Sequence, residues 1–93
     1  MRYRAQVDNN QKEIVDALRK AGRQVIILST LGGGVPDLLV SSPSEMWLME
    51  VKNPDIKDHK REFTPAQHEF RALWRGKPII TVYDAEQAIE ATR

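Results

Sequence analysis

The sequence predicts a small α/β fold, in which one mixed β-sheet is flanked by helices in the order α-β-β-β-α-β-α. Apolar residues recur at helical spacing in three stretches, and four short apolar runs have the length and composition of buried strands. The helical stretches begin near residues 11, 65 and 85, and the strand runs cover residues 25–30, 38–40, 46–52 and 79–83. Helices and strands in this order build one sheet with helices packed against it.

The first helix is expected over residues 11–21. One of its faces carries apolar residues at helical spacing: Ile14, Val15 and Leu18. Gly22 is a typical residue to end a helix. Residues that favour the N-cap precede the helix: Asp8, Asn9 and Asn10. Residues 1–7 have little pattern and are expected to be extended.

Two strands in the middle of the chain are predicted to form an antiparallel hairpin. The runs 38–40 and 46–52 are separated by residues 41–44, whose sequence Ser-Ser-Pro-Ser is typical of a turn. Both faces of the second run are apolar as far as Glu50, which predicts a central strand covered on both sides. The run 25–30 is β-branched and apolar, and it is predicted to be another buried strand.

The second predicted helix begins with a capping box. Thr64 is the N-cap, Pro65 the first helical residue and Gln67 the third, so the Gln67 side chain is expected to reach back to the Thr64 N–H. Apolar residues predict the buried stripe of this helix: Phe70, Leu73 and Trp74. Gly76 is expected to end it, and Asp84 to cap the last helix.

Length and composition bound the class of protein. A chain of 93 residues suits a single domain, residues 1–93, with one modest core. Hydrophobic residues at 41% and charged residues at 29% are typical of a soluble globular protein. The absence of cysteine excludes disulfides and thiolate metal sites. No apolar run is long enough to cross a bilayer and no secretion signal follows Met1, so a cytoplasmic protein is expected.

The net charge of +1 argues neither for nor against nucleic acid, but the charge is unevenly distributed. Basic residues are concentrated after the hairpin: Lys52, Lys57, Lys60, Arg61, Arg71, Arg75 and Lys77. Such a distribution suits contact with phosphates, and the two helical arginines could face DNA. Asp55, Asp58 and Glu62 interrupt the segment, and a solvated loop explains the same composition about equally well.

Three side chains converge on one end of the predicted hairpin. Glu50 and Lys52 are two residues apart on a strand, so both project from the same face. Asp37 begins the preceding strand, and a sharp hairpin brings its carboxylate beside that of Glu50. Two carboxylates and a lysine suit a site for Mg²⁺ or Mn²⁺, in which the ammonium orients a water. The alternative is a Glu50–Lys52 surface pair at a fraying strand end.

The pattern Pro36-Asp37, a spacer and Glu50-Val51-Lys52 resembles that of the PD-(D/E)xK nucleases. Further motifs occur in order around it: the glycine run 32–34, the extension Lys52-Asn53-Pro54, the run 63–67 and the closing run 78–82. Together they resemble the virus-type replication-repair nuclease (VRR-NUC) branch over nearly the whole chain, from about residue 11 to residue 89.

The resemblance implies a restriction-endonuclease-like core and metal-dependent hydrolysis of DNA phosphodiesters. The metal ligands it implies are Asp37, Glu50 and the backbone carbonyl of Val51, with Mg²⁺ or Mn²⁺ as cofactor. Lys52 is expected to position the attacking water or to help withdraw its proton, and it could also stabilise the transition state. Gln67 is expected to point into the site, a role that rivals its capping role. Small members resemble phage enzymes, which implies a homodimer acting in DNA repair on branched DNA such as Holliday junctions, in the host-cell cytoplasm.

The branch usually has an acidic residue near the start of the first helix as a further metal ligand. In this chain the position falls near Asn9, with Gln11 one turn away, and an amide is a weaker ligand for a hard cation. Either Asp8 or Glu13 replaces the acid, or the ligand is lost. A lost ligand favours another function, that of a non-catalytic nucleic-acid-binding module with a decayed site. A sequence-specific restriction-type endonuclease is a third interpretation.

Overall fold

The structure, a computed structural model, describes residues 3–53 and 63–93, and side chains from residue 10 onward. Its helices and strands follow the predicted order, so the α/β fold class is confirmed. In chain order they are α1 (Tyr3–Lys20), β1 (Gln24–Ile27), β2 (Leu38–Ser41), β3 (Met46–Val51), α2 (Pro65–Leu73), β4 (Ile80–Val82) and α3 (Ala85–Ala91). No helix in this part of the chain has the length and apolar character of a membrane span.

The strands form one mixed sheet with the order β1-β2-β3-β4. β1 pairs with β2 and β2 with β3 in antiparallel orientation, whereas β3 and β4 are parallel. The predicted hairpin is confirmed, and across its turn the Ser42 N–H donates to the Glu45 carbonyl at 2.9 Å. β3 is a central strand, and its residues from Trp47 to Val51 are all buried.

The core lies on the sheet face that packs against α1 and α3. β3 directs every second side chain into this core, and the set is Trp47, Met49 and Val51. Met49 pairs with Leu38 across the hairpin, both are fully buried, and each contributes roughly 1.5–3 kcal/mol by its burial. By the same alternation, Leu48 and Glu50 point to the opposite face, where the polar residues predicted for the site are found.

α1 begins earlier than predicted. It starts at Tyr3 rather than near residue 11, so residues 3–7 are helical instead of extended. Asp8, Asn9 and Asn10 lie inside the helix and do not cap its start. Residues of the cap type are tolerated within a helix at about 0.7 kcal/mol or less each, so they do not by themselves fix a boundary.

β1 is an edge strand rather than the buried strand predicted over residues 25–30. It ends at Ile27, and in it only Val25 is buried. Ile26 is 54% exposed and Ile27 is 49% exposed. Apolar, β-branched composition predicts that a run forms a strand, but the position of the strand in the sheet depends on pairing with distant residues.

The apolar stripe predicted for α2 is not buried. No residue of this helix is buried, Leu73 is 67% exposed and Trp74 is 40% exposed. The helix also ends at Leu73 instead of continuing to Gly76, with Trp74 as its C-cap. Helical periodicity predicts an apolar face but not what covers it. The Trp74 ring instead stacks on Phe70, with centroids 5.8 Å apart, and its N–H donates to the Lys77 carbonyl at 2.8 Å.

The two predicted helix caps are confirmed. Thr64 and Gln67 form the capping box at the start of α2, with Pro65 as the first helical residue. At the start of α3, the Asp84 side chain accepts a hydrogen bond from the Gln87 N–H at 2.8 Å. Both caps satisfy backbone N–H groups that have no partner within the helix.

Candidate active site

Asp37 lies where the loop after β1 enters β2. Pro36 before it is buried, and the Leu28 N–H donates to the Asp37 carbonyl at 2.7 Å, which fixes the backbone at this point. One carboxylate oxygen of Asp37, Oδ2, accepts a hydrogen bond from the Val51 N–H at 2.8 Å. The antiparallel register of β2 and β3, continued by one residue, places Asp37 opposite Glu50. The hairpin therefore brings the two acids together.

Glu50 is a buried acid, with 4% of its surface exposed. Its Oε2 accepts a hydrogen bond from Gln67 Nε2 at 3.0 Å. Burial, and after it the charge of Asp37 and a hydrogen bond with the Asp37 carboxyl, raise the pKa of Glu50 to about 8. The positive charges of Lys52 and Arg71 act in the opposite direction. The two carboxyl groups thus repel each other when both are ionised, and either a proton or a bound cation relieves that repulsion.

Val51 lies between the two charged residues of β3, and its side chain is buried in the core. A residue in a strand directs its N–H and its C=O towards the same neighbouring strand. The N–H of Val51 points to Asp37, so its carbonyl oxygen faces the same edge of β3. β2 does not cover this edge beside Val51, because its first residue is Leu38, which pairs with Met49.

Lys52 directly follows β3. Its N–H extends the pairing with β4 by donating to the Val82 carbonyl at 2.9 Å, and its carbonyl accepts from Asn10 Nδ2 at 3.2 Å. Both neighbours therefore hold the Lys52 backbone in place. Its ammonium lies 4.8 Å from the centroid of the Phe63 ring, a cation–π distance. By strand alternation its side chain shares the face of Glu50.

Gln67 contacts two partners at once. Its Oε1 accepts from the Thr64 N–H at 2.8 Å, and its backbone N–H donates to Thr64 Oγ1 at 3.2 Å. Its Nε2 meanwhile donates to Glu50. The sequence offers the capping role and the contact with the site as alternatives. The structure shows both together, because a side-chain amide has its acceptor and its donor on different atoms.

Gly34 allows the loop before Asp37 to contact the start of α2. It has a φ of 80°, and a Cβ at this position would clash with the Ala66 carbonyl group and lie 2.8 Å from the Gln67 nitrogen. Only glycine permits both this conformation and this approach. Gly33 also has a positive φ, 64°, but a Cβ there would meet nothing within 4 Å. Gly34 is therefore the glycine that fixes Gln67 relative to the loop.

The fold and the site have a counterpart among solved structures. A structure described as a VRR_NUC domain is 28% identical to this chain, and the match covers 91% of each chain with a TM-score of 0.61. The chain folds as a VRR-NUC domain. No protein-family model and no curated protein matches it. The resemblance seen in the sequence is confirmed by the fold, and a VRR-NUC domain is a domain of nuclease type.

The first helix of this VRR-NUC domain presents no acidic ligand among the side chains that the structure describes. Glu13 is exposed. Gln11 is 8% exposed and accepts from Ser29 Oγ at 3.0 Å. The side chains of Asp8 and Asn9 lie outside the described part. Within that part no group of three or more His, Cys, Asp or Glu residues is placed to hold a metal.

Arg71 borders this site, although the sequence indicates it only as one of several basic residues. Its guanidinium carbon lies 4.0 Å from the centroid of the Phe63 ring, and its Nη2 donates to Thr81 Oγ1 at 3.2 Å. Thr81 pairs with Glu50 in the register of β3 and β4. A signal for Arg71 exists in the sequence, because it follows Gln67 by four residues and so shares its helix face.

Part of the predicted basic segment cannot be placed relative to this site. Lys57, Lys60 and Arg61 lie outside the described residues, as do the acids that interrupt them. Lys52 and Arg71 are described and lie beside the same aromatic ring. Arg75 is exposed, and Lys77 forms a surface salt bridge with Glu45 at 3.2 Å. The described basic groups near the carboxylates are thus Lys52 and Arg71.

Proposed function

We propose that this VRR-NUC domain is a Mg²⁺- or Mn²⁺-dependent deoxyribonuclease that hydrolyses phosphodiester bonds. The observation that carries the proposal is the buried carboxyl of Glu50, which the hairpin register places opposite Asp37 and whose pKa burial and the charge of Asp37 raise. Carboxylate and carbonyl oxygens suit hard divalent cations, and the Val51 carbonyl would add a third oxygen to this set. When bound, the metal would acidify a water and offset the charge that develops on the phosphate.

The residues around the carboxyl pair set its orientation. The Val51 N–H holds Oδ2 of Asp37, and the Gln67 amide holds Oε2 of Glu50. One oxygen of each acid is therefore fixed by a protein donor, as is common for residues that bind metals. Gln67 is itself fixed by its capping box with Thr64, so its amide cannot turn away without losing a backbone hydrogen bond.

We propose that Lys52 acts on the attacking water and on the phosphate. Its backbone is held on both sides, by Val82 and Asn10, and its ammonium lies over the Phe63 ring. An ammonium donates three hydrogen bonds and accepts none. Lys52 would therefore orient the attacking water through the oxygen of that water, and it would stabilise negative charge on the phosphate in the transition state.

The substrate we propose is branched DNA such as a Holliday junction, cut by a homodimer in the course of DNA repair. The support is the resemblance to small phage-like members of the branch. Paired cuts in opposing strands need two active sites, and a two-fold dimer provides them. Size-exclusion chromatography with light scattering tests the dimer independently of cleavage, and a monomer at micromolar concentration would contradict it.

A cleavage assay with Mn²⁺ on a labelled four-way junction, a flap and a matched linear duplex tests the function. We expect cleavage of the junction that EDTA abolishes. Asp37→Asn, Glu50→Gln and Lys52→Ala should each abolish it. Glu90→Gln and Lys12→Ala are matched controls, because both residues are exposed and belong to surface salt bridges away from the site. Normal turnover in Glu50→Gln would refute the role given to that residue.

One observation favours the competing function, that of a non-catalytic nucleic-acid-binding module. The described site has two carboxylates, and Glu13 of α1 is exposed. A decayed site would bind the junction but leave it uncut at every Mn²⁺ concentration. The same assay also detects a restriction-type enzyme, which would cut the linear duplex at defined positions.

A further inference from the structure

Arg71 has the geometry of a second cationic group beside the carboxyl pair. Its guanidinium and the Lys52 ammonium both lie against the Phe63 ring, at 4.0 Å and 4.8 Å from the centroid. Its Nη2 donates to Thr81, whose partner on β3 is Glu50. Two cations from different parts of the chain, one directly after β3 and one in the last turn of α2, therefore lie together beside the acids.

The guanidinium of Arg71 is oriented but not neutralised within the described residues. No carboxylate in that part of the chain forms a salt bridge with it, whereas Lys12, Lys77 and Arg93 each have one. Arginine has five N–H donors, and the hydrogen bond to Thr81 uses one of them. Stacking on Phe63 and the bond to Thr81 restrict its rotation, so little entropy is lost when it binds a further acceptor.

We propose that Arg71 binds a non-bridging oxygen of the DNA phosphate nearest the carboxyl pair. The proposal rests on the function proposed above and adds a residue to it. A planar guanidinium matches two phosphate oxygens, and such charge-assisted pairs are about twice as strong as neutral hydrogen bonds. Lys52 and Arg71 then form the cationic part of the site, beside Asp37 and Glu50.

A structural role for Arg71 is the rival explanation. Its charge could serve only to moderate the repulsion between the two acids. The observation against this role is that the hydrogen bond to Glu50 comes from Gln67, while the bond from Arg71 goes to Thr81. The two explanations differ in what they predict for DNA, since a structural arginine has no effect at one particular phosphate.

Arg75 supplies the matched control. It lies four residues after Arg71, just beyond the end of α2, it is exposed, and its side chain donates to the Ala72 carbonyl at 3.5 Å. Arg71→Ala and Arg75→Ala therefore remove the same charge from nearby positions, but only the first removes a group beside the carboxyl pair. Arg71→Lys keeps the charge and loses the planar fork.

The experiment measures cleavage of saturating junction with Mn²⁺, and binding of the same junction in EDTA over a range of salt concentrations. We expect Arg71→Ala to slow cleavage by about 10²-fold, the usual effect of losing one preorganised donor. The slope of log Kd against log salt should fall by about one. Arg71→Lys should keep the slope but not the rate, and Arg75→Ala should keep the rate.

Neutral methylphosphonates, placed one at a time around the cut, identify the phosphate. At one position the substitution should weaken binding by the original chain and by Arg75→Ala, but not by Arg71→Ala, which has already lost the contact. If Arg71→Ala shows the original salt slope and the original methylphosphonate pattern, the proposal is overturned even when cleavage is slow. If the original chain binds DNA but does not cut it, the proposed nuclease fails, and the binding measurements still decide the role of Arg71.

Discussion

The two faces of the central sheet differ in polarity around the end of β3. The face towards α1 and α3 is fully apolar at the sheet, with members exposed by 1% or less: Leu38, Val40, Met49 and Val82. The other face carries Asp37, Glu50 and Lys52 near α2, a helix in which no residue is buried. Burial on the first face stabilises the protein, whereas burial of Glu50 on the second face destabilises its charged form.

One strand, β3, contributes side chains to both faces. Trp47, Met49 and Val51 alternate along β3 with Leu48 and Glu50. Each of the three core side chains contributes roughly 1.5–3 kcal/mol. Their sum is comparable to or larger than the largest penalty expected for a buried acid, so β3 can hold Glu50 in an unfavourable environment. An unfavourable environment at a site is sustained in this way by the packing around it.

Replacing Glu50 on the site face should have the largest effect on stability. The folded protein holds a proton on Glu50 up to about pH 8, whereas the unfolded chain loses it near 4.5. The stability due to that proton is present below pH 4.5 and is lost as pH rises through 8. The amide of Glu50→Gln has no such proton to lose. The stability of this variant relative to the original chain should therefore increase between pH 4.5 and pH 8, by at most on the order of 5 kcal/mol. Thermal melts at pH 5 and pH 9 measure it.

The same variant separates stability from activity. Glu50→Gln should be more stable than the original chain at pH 9 and should not cut DNA. Mn²⁺ should raise the melting temperature of the original chain but not that of the variant, since a ligand stabilises only the state that binds it. If the stability difference between Glu50→Gln and the original chain were the same at pH 5 and at pH 9, Glu50 would not be held in an unfavourable environment.

The core face should respond in the opposite direction. Met49→Ala removes a side chain with 0% exposure and leaves a cavity, so the free energy of unfolding should fall by about 2–5 kcal/mol at every pH. Met46→Ala is the control on the same strand, because Met46 is 60% exposed and should change stability by about 0.5 kcal/mol or less. Urea unfolding measures both. Similar losses in the two variants would mean that Met46 and Met49 do not differ in burial.

The contact between the Asp37 loop and α2 should affect both the stability of the protein and the geometry of the site. Gly34→Ala and Gly33→Ala both place an alanine at positive φ, but only the first brings a Cβ against Ala66. Gly33→Ala should lose about 1–2 kcal/mol of stability, and Gly34→Ala should lose more, because its Cβ meets backbone atoms that must shift. Gly34→Ala should in addition displace Gln67 and slow cleavage by roughly 10- to 100-fold, as expected when a site is misplaced by about 1 Å. Equal cleavage rates in the two variants would contradict the positioning role of Gly34.

The sequence predicts local features of this molecule well. The hairpin and the two helix caps depend on neighbouring residues, and the meeting of Asp37 and Glu50 depends only on the register of one hairpin. The edge position of β1 and the exposure of α2 depend on what packs beside them, which periodicity does not report. The position of Arg71 belongs to the second kind, because its hydrogen bond to Thr81 lies beside Glu50 only through the parallel pairing of β3 and β4.

The smallest effect is expected on the outer surface of α2. Leu73 is 67% exposed, so Leu73→Ser should change the free energy of unfolding by about 0.5 kcal/mol or less. Leu18→Ser, at a position with 0% exposure on α1, is the matched control and should unfold the protein or weaken it by several kcal/mol. Urea unfolding at low protein concentration compares them. A loss above about 1 kcal/mol in Leu73→Ser would mean that α2 is covered in solution, and a loss that grows with protein concentration would identify a second copy as the cover.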